Sequence, residues 1–176
     1  MSEKEFLEGL FENYITSDDS KYLRYMRKVT MNRCLKWMKP GGVAMELGCE
    51  IGYMTSLIAP HVKTLDVIEG SESFIKEAKK RNIENAAFYN KLFEEVEAKN
   101  QYDYVFASHV VEHLIDPQKT LEVMYKALKP GGYIFVTVPN ALAASRQLAV
   151  KMNLFDSLYD MTPNDIRGGH RRVYNP

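Results

Sequence analysis

Two groups of residues in this 176-residue chain have the types and spacing to do chemistry. The first is Glu46-Leu-Gly48-Cys49-Glu50-Ile-Gly52, which closes a short apolar run and leads into a helical pattern. Gly48 lets the chain turn tightly, and Gly52 lets backbone approach a ligand or a helix pack closely. Helix-terminal N–H groups beyond the loop can receive a carboxylate or phosphate. Glu69 ends the next strand-like run about 20 residues on, where an acid accepts hydrogen bonds from ribose hydroxyls. The pairing points to a nucleoside-bearing cofactor. A dinucleotide fingerprint, G-x-G-x-x-G, would need glycines where Glu46 and Glu50 stand. A carboxylate beside a pyrophosphate is repulsive, whereas one beside the ammonium of an amino-acid cofactor is attractive. That disfavours a nicotinamide-dependent oxidoreductase. Cys49 reads as a small apolar packing residue.

The second group is histidine-centred. His109, Glu112 and His113 spell H-x-x-E-H, a zinc-peptidase pattern. That pattern works on a helix, where positions i and i+4 share a face, but His109 ends a strand-like run. Capping of the next helix, or packing beneath a ligand, is the plainer role for His113. His170 lies in Arg167-Gly-Gly-His170-Arg-Arg-Val-Tyr174, after Met161-Thr-Pro-Asn-Asp165. These residue types predict a loop, and loops at the carboxyl edge of a parallel sheet choose substrate groups. His170 can serve there as base or orienting group, since imidazole titrates near neutrality. The alternative is an exposed basic loop.

The elements that must hold these groups alternate. Residues 3–15 place Phe6, Leu7, Leu10, Phe11 and Tyr14 at helical spacing. A second helix is expected from Lys21 to Met38, burying Tyr22, Tyr25, Met26, Val29, Cys34, Leu35 and Met38. Pro40-Gly41-Gly42 stops it. Strands are expected at 43–48, 64–68, 86–89, 102–108 and 133–138, with helices at 54–59, 73–81 and 117–128 between them. Lys129-Pro130-Gly131-Gly132 is expected to turn the chain into the fifth strand. This alternation predicts an α/β fold with a mostly parallel sheet of five strands.

Four segments then resemble class I S-adenosylmethionine-dependent methyltransferases, in order and spacing, over roughly residues 40–140. They are Ala44–Gly52, Val67–Ala78, Tyr102–Pro117 and Leu128–Asn140. The resemblance implies a Rossmann-like fold that binds S-adenosylmethionine. It assigns Glu46, Gly48, Cys49 and Gly52 to the methionine end, and Glu69, with Gly70 and Ser71 after it, to the ribose. Leu92 and Phe93 would flank the adenine, and Ser108, His109 and Val110 would lie under the reacting centre. Glu50 stands where the family often has glycine. Small-RNA 2′-O-methyltransferases and ubiquinone-pathway O-methyltransferases, which the sequence also resembles, carry an acidic and histidine cluster here that binds a divalent metal. Glu112, His113 and His170 are the matching candidates, and many relatives with Glu-His here use no metal. Without one, the same three residues are the catalytic candidates.

The chain reads as one domain: a helical cap or lid over 1–39 that includes Tyr14, Tyr22 and Tyr25, a cofactor core over 40–140, and a substrate-side helix and loop over 141–176. Members of this fold add C-terminal strands after the fifth. None is visible before Tyr174-Asn-Pro176, so those strands are expected to be missing or a partner to cover the edge, a homodimer included. Lys+Arg and Asp+Glu both number 23, so no global positive field collects a polyanion. Two cysteines, Cys34 and Cys49, show no paired spacing, the first residues lack a signal-peptide pattern, and no apolar run reaches membrane-spanning length. A cytoplasmic enzyme transferring a methyl group to a small molecule is expected, on oxygen first and nitrogen second. A non-catalytic cofactor-binding interaction module is the rival class. Neither nucleic acid nor membrane is an expected partner.

Overall fold

The computed structural model describes residues 2–16 and 21–175. The side chains of residues 13–16, Tyr14 of the expected stripe among them, lie outside the described residues. Helices α1 (Glu3–Thr16) and α2 (Lys21–Cys34) precede β1 (Val43–Leu47), α3 (Tyr53–Ile58), β2 (Thr64–Glu69) and α4 (Glu72–Lys79). There follow β3 (Ala86–Asn90), β4 (Tyr102–Ser108), α5 (Pro117–Ala127), β5 (Leu128–Thr137), α6 (Ala144–Lys151) and α7 (Pro163–Arg167). The strands form one parallel sheet in the order β3-β2-β1-β4-β5. The winding therefore reverses between β1 and β4, which opens a crevice beyond their carboxyl ends.

Side chains alternate across the sheet because successive residues of a strand point to opposite faces. Ala44, Val67, Tyr104 and Phe106 pack with Met31, Cys34, Met54, Ile58 and Ala78 on the face covered by α2, α3 and α4. Met45, Leu47, Val105 and Ala107 pack with Met124 and Ala127 of α5 on the other. Burial on both faces explains why the strands read as continuous apolar runs. No helix among the described residues is long and apolar enough to cross a membrane.

Three elements differ from the sequence expectation. In α2 the first part of the predicted stripe faces outward: Tyr22 is 66% and Tyr25 65% exposed, and Met26 is exposed too, while Cys34 is buried as expected, with Met31 beside it and Leu35 and Met38 packed on the same core. The cause is Arg27, whose guanidinium turns inward to pair with Glu50 and carries the face through Met31 and Cys34 onto the sheet. The turn expected at Lys129–Gly132 becomes a bulge inside β5. Tyr102 pairs with Leu128 and Tyr104 with Tyr133, so one intervening residue opposes four, and Gly131 takes φ +82°. The third is the expected loop before His170, which contains a helical turn, α7. Thr162 and Asp165 form its capping box, each side chain accepting the other's backbone N–H.

The orientation of α2 can be checked by chemical unfolding. Met31→Ala is expected to cost about 2–5 kcal/mol as a core truncation, and Tyr25→Ser to stay within about 0.5 kcal/mol. The reverse ranking would show that the tyrosine face packs inward.

Candidate active site

The carboxyl ends of β1 and β2 are tied by one side chain. Glu69 is 5% exposed. Its Oε2 accepts the N–H of Cys49 at 3.0 Å and its Oε1 that of Ser71 at 2.9 Å. Burial pushes its pKa up, and these amides work against the shift. Each oxygen retains a lone pair for a further donor. Ser71 Oγ caps α4 by accepting the N–H of Phe74 at 3.1 Å. The loop after β1 turns at Gly48, φ +73°, where a Cβ would stand 2.7 Å from Val110 Cγ2 and 3.7 Å from Phe93. Space at that turn is kept by the missing side chain.

A cavity open to solvent lies beyond this edge. Its walls include Gly48, Glu50, Glu69, Gly70, Leu92 and Phe93 on one side, and Ser108, His109, Val110 and His113 on the other. Helix α1 crosses it with Glu3, Leu7 and Leu10. Leu7 sits so close that a Cβ on Gly70 would meet its Cδ1 at 2.4 Å. The N-terminal cover is therefore α1 itself, whereas Tyr22 and Tyr25 of α2 face solvent. Glu8 anchors α1 by accepting N–H groups of Glu72 and Ser73 at the start of α4.

Four expected cofactor contacts lie away from the cavity wall. Glu46 is fully buried beneath the loop. Burial, opposed in part by Thr55, pushes its carboxyl up to about 8. Cys49 offers its amide to Glu69, and burial drives its thiol far above its ordinary value. Gly52, φ +76°, lets α3 pack on Ala78 of α4, and Ser71 serves as the cap. Glu50 is on the wall, in a left-handed conformation (φ +46°), and is paired with Arg27.

On the β4 side the chain turns at His109, φ +56°, whose Nδ1 lies 3.3 Å from Glu112 Oε1. Glu112, His113 and His170 converge, each offering a ligand atom within 4.8 Å of the others. The two imidazoles meet edge to face at 4.7 Å. Glu112 is 0% exposed, and neither of its oxygens has a hydrogen-bond partner. The same holds for Nδ1 of His113, and Nδ1 of His170 lies 3.4 Å from Asp165 Oδ1 without completing a hydrogen bond to it. Burial, with His170 adding to it and Glu112 opposing it, holds His113 below the ordinary imidazole value. Unpartnered buried polar atoms are costly, so the cluster has capacity for a ligand. Two imidazoles and a carboxylate suit a proton-accepting pair, or a divalent transition ion.

The segment after α7 holds this cluster closed. The N–H of Arg171 donates to Glu112 O at 2.8 Å and its Nε to His113 O at 2.6 Å. The guanidinium also stacks on Phe6 at 5.0 Å and pairs with Glu3 of α1. His170 is thus drawn inward, not displayed on a basic loop. Sequence reasoning missed Glu3 as a wall residue and missed Asp165 beside His170, although Thr162-Pro-Asn-Asp165 carries the capping-box pattern.

Glu46 supplies a pH test. Its folded pKa, about 8, lies above its unfolded value, 4.5. The neutral form is favoured by folding, so its contribution is full below pH 4.5 and is lost as pH rises through about 8. Melting temperatures of Glu46→Gln should exceed those of the unaltered chain by a gap that widens over that window. A constant gap would mean that Glu46 is ionised inside.

Comparison with known proteins follows the same lines. Residues 19–176 match the family model described as a methyltransferase domain. The chain is 27% identical over 115 residues to a ubiquinone biosynthesis O-methyltransferase of Pectobacterium carotovorum, covering 62% of this chain and 48% of that one. It is 31% identical over 112 residues to phosphoethanolamine N-methyltransferase 2 of Caenorhabditis elegans, covering 57% and 24%. The fold is similar to that of the N-methyltransferase NodS of Bradyrhizobium japonicum, solved with S-adenosyl-L-homocysteine. The TM-score is 0.69 at 20% identity, over 80% of this chain and 77% of that one. The chain spans about half the length of the ubiquinone biosynthesis O-methyltransferases it matches.

Proposed function

Because the chain belongs to the methyltransferase domain family, we propose that it binds S-adenosylmethionine in this cavity and transfers its methyl group to a small-molecule acceptor. The observation that carries the reading is the convergence on one cavity of a glycine turn, a buried ribose-type acid and His113, the member of the histidine cluster that reaches the wall, with Glu112 and His170 packed behind it. Glu69 keeps free lone pairs for two ribose hydroxyls, Leu92 and Phe93 offer apolar walls for adenine, and Gly48 leaves room for the methionine end. Glu50 brings negative charge toward an ammonium.

Bound S-adenosylmethionine supplies a methyl group already activated on a sulfonium. The chain's own part is to orient the acceptor, exclude water and take a proton. Helix α1 covers the cavity with Leu7 and Leu10, which keeps water out. His113, kept neutral by burial, or His170 beside it, takes the proton of an acceptor hydroxyl, and Glu112 stabilises the imidazolium. O-methylation is therefore the leading assignment. An amine acceptor needs only to be held unprotonated, and the nematode relative, named for N-methylation, supports that alternative.

The unpartnered oxygens of Glu112 favour a second arrangement, in which Glu112, His113 and His170 hold a divalent cation. Such an ion would supply Lewis acidity to the acceptor oxygen. Chelator sensitivity separates it from the metal-free base.

Titration calorimetry with S-adenosylmethionine tests the cofactor assignment. Glu69→Ala is expected to weaken binding by about 1.5–3 kcal/mol, as a charged acceptor is lost; unchanged affinity would remove Glu69 from the site. On the acceptor side, alanine at His113 or His170, whichever is the base, is expected to lower kcat by about 10²–10⁴-fold with little change in cofactor affinity. Full activity of both variants would leave positioning alone as the chain's contribution.

A further inference from the structure

The assignment of His170 to the acceptor side leaves open what holds its ring. The imidazole is mostly buried, so it cannot choose its tautomer by exchanging freely with water. Its Nδ1 has one carboxylate nearby, Asp165 Oδ1 at 3.4 Å. The two oxygens of Asp165 are used differently. Oδ2 accepts the N–H of Thr162 at 2.8 Å and Nη2 of Arg146 at 2.9 Å, which leaves Oδ1 for the ring. Arg146 is itself fixed, donating Nη1 to the carbonyls of Asp160 and Leu158 at 2.6 and 3.3 Å. The backbone is pinned as well. The N–H of His170 donates to Asp165 O at 2.9 Å, and Gly169, φ +82°, packs so closely on Leu10 and Phe6 of α1 that a Cβ would meet Leu10 at 2.9 Å. On its other side the ring meets His113, with Glu112 in the same cluster.

We propose that Asp165 is the positioning residue of His170: its Oδ1 holds the proton of the neutral ring on Nδ1, so that Nε2 carries the lone pair. A carboxylate at one imidazole nitrogen fixes tautomer and ring plane together. Asp165 stays ionised in that role. Partial burial raises its pKa, but the Thr162 hydrogen bonds, with the Arg146 guanidinium beside them, outweigh burial and leave it lowered. The polar chain then runs from Arg146 through Asp165 and His170 to His113 and Glu112. It links α6 and α7 to the loop after β4, a connection the methyltransferase reading does not require. The proposal rests on that reading only in giving the lone pair of His170 a use.

The test is long-range proton–nitrogen correlation NMR of the full chain labelled at histidine nitrogen, at a pH where the rings are neutral, with His170→Ala identifying the resonance. The unaltered chain is expected to show His170 protonated at Nδ1. In Asp165→Asn, the donors Thr162 N–H and Arg146 Nη2 keep the amide oxygen in the place of Oδ2 and turn its NH2 toward the ring, so the majority form should become Nε2–H. Arg146→Gln removes the cationic partner of Asp165 and should keep the Nδ1–H form, which a merely structural role for the network would not predict. An Nε2–H ring in the unaltered chain, or a tautomer unmoved by Asp165→Asn, would overturn the proposal. The first of these outcomes needs no variant to fold. A melting shift with S-adenosylmethionine, run alongside, reports on the other reading separately. Its absence with the expected tautomer would overturn the function and leave the role of Asp165 standing.

Discussion

The carboxylate of Glu69 is the interaction on which the rest of the site depends. By accepting N–H groups from Cys49 and Ser71 it joins the loop after β1, the end of β2 and the start of α4 into one unit. Buried amides at strand ends must find partners, and here a single acid satisfies two. Because that loop is held, Gly48 can place its left-handed turn against Val110 at the winding reversal, opposite the left-handed turn at His109. The crevice between β1 and β4 is a consequence of strand order; its fixed width at the glycine turn is a consequence of Glu69.

The other half of the site is built from the two ends of the chain. Helix α1 and the segment after α7 meet over the β4 loop, joined by Arg171 to Glu3 and Phe6 and by Gly169 to Leu10. These contacts are partly exposed ion pairs and small apolar patches, each worth little alone. The unit around Glu69, by contrast, is buried and short-range. Withdrawal of α1 would therefore uncover the acceptor side while leaving the glycine loop formed, which is the order that a rigid cofactor cradle with a movable cover requires.

How much of this was legible in the sequence varies by element and for physical reasons. Strands such as Tyr102–Ser108 are buried on both faces, so their apolar runs announce them. The glycine turn and Glu69 are marked by residue type and spacing, and the parallel five-stranded sheet follows from the alternation. The orientation of α2 was not legible, because apolar periodicity assumes that charged residues face water, and Arg27 turns inward to Glu50. The bulge in β5 depends on its pairing with β4, and the pairing of His170 with His113 depends on a loop closing over 56 intervening positions. Neither leaves a local pattern. Asp165 was half legible: its capping box could be read, but its second oxygen faces a ring that only the fold brings near.

Three acids stand at the glycine edge, and the fold disposes of each differently. Glu46 is buried, with its pKa pushed to about 8, so it adds no charge at neutral pH. Glu50 is neutralised by Arg27, and Glu69 is wrapped by amides. Had all three remained charged without partners, their mutual repulsion in a water-poor edge would have opposed the turn at Gly48. The fold thus keeps an acidic edge while limiting its cost in the empty state. An incoming cationic ligand meets Glu50 and Glu69 at the wall, where it can strengthen both interactions, and finds Glu46 already protonated beneath. If the cavity takes the proposed cofactor, a preference for its positively charged end would rest on this arrangement of acids, more than on any single contact.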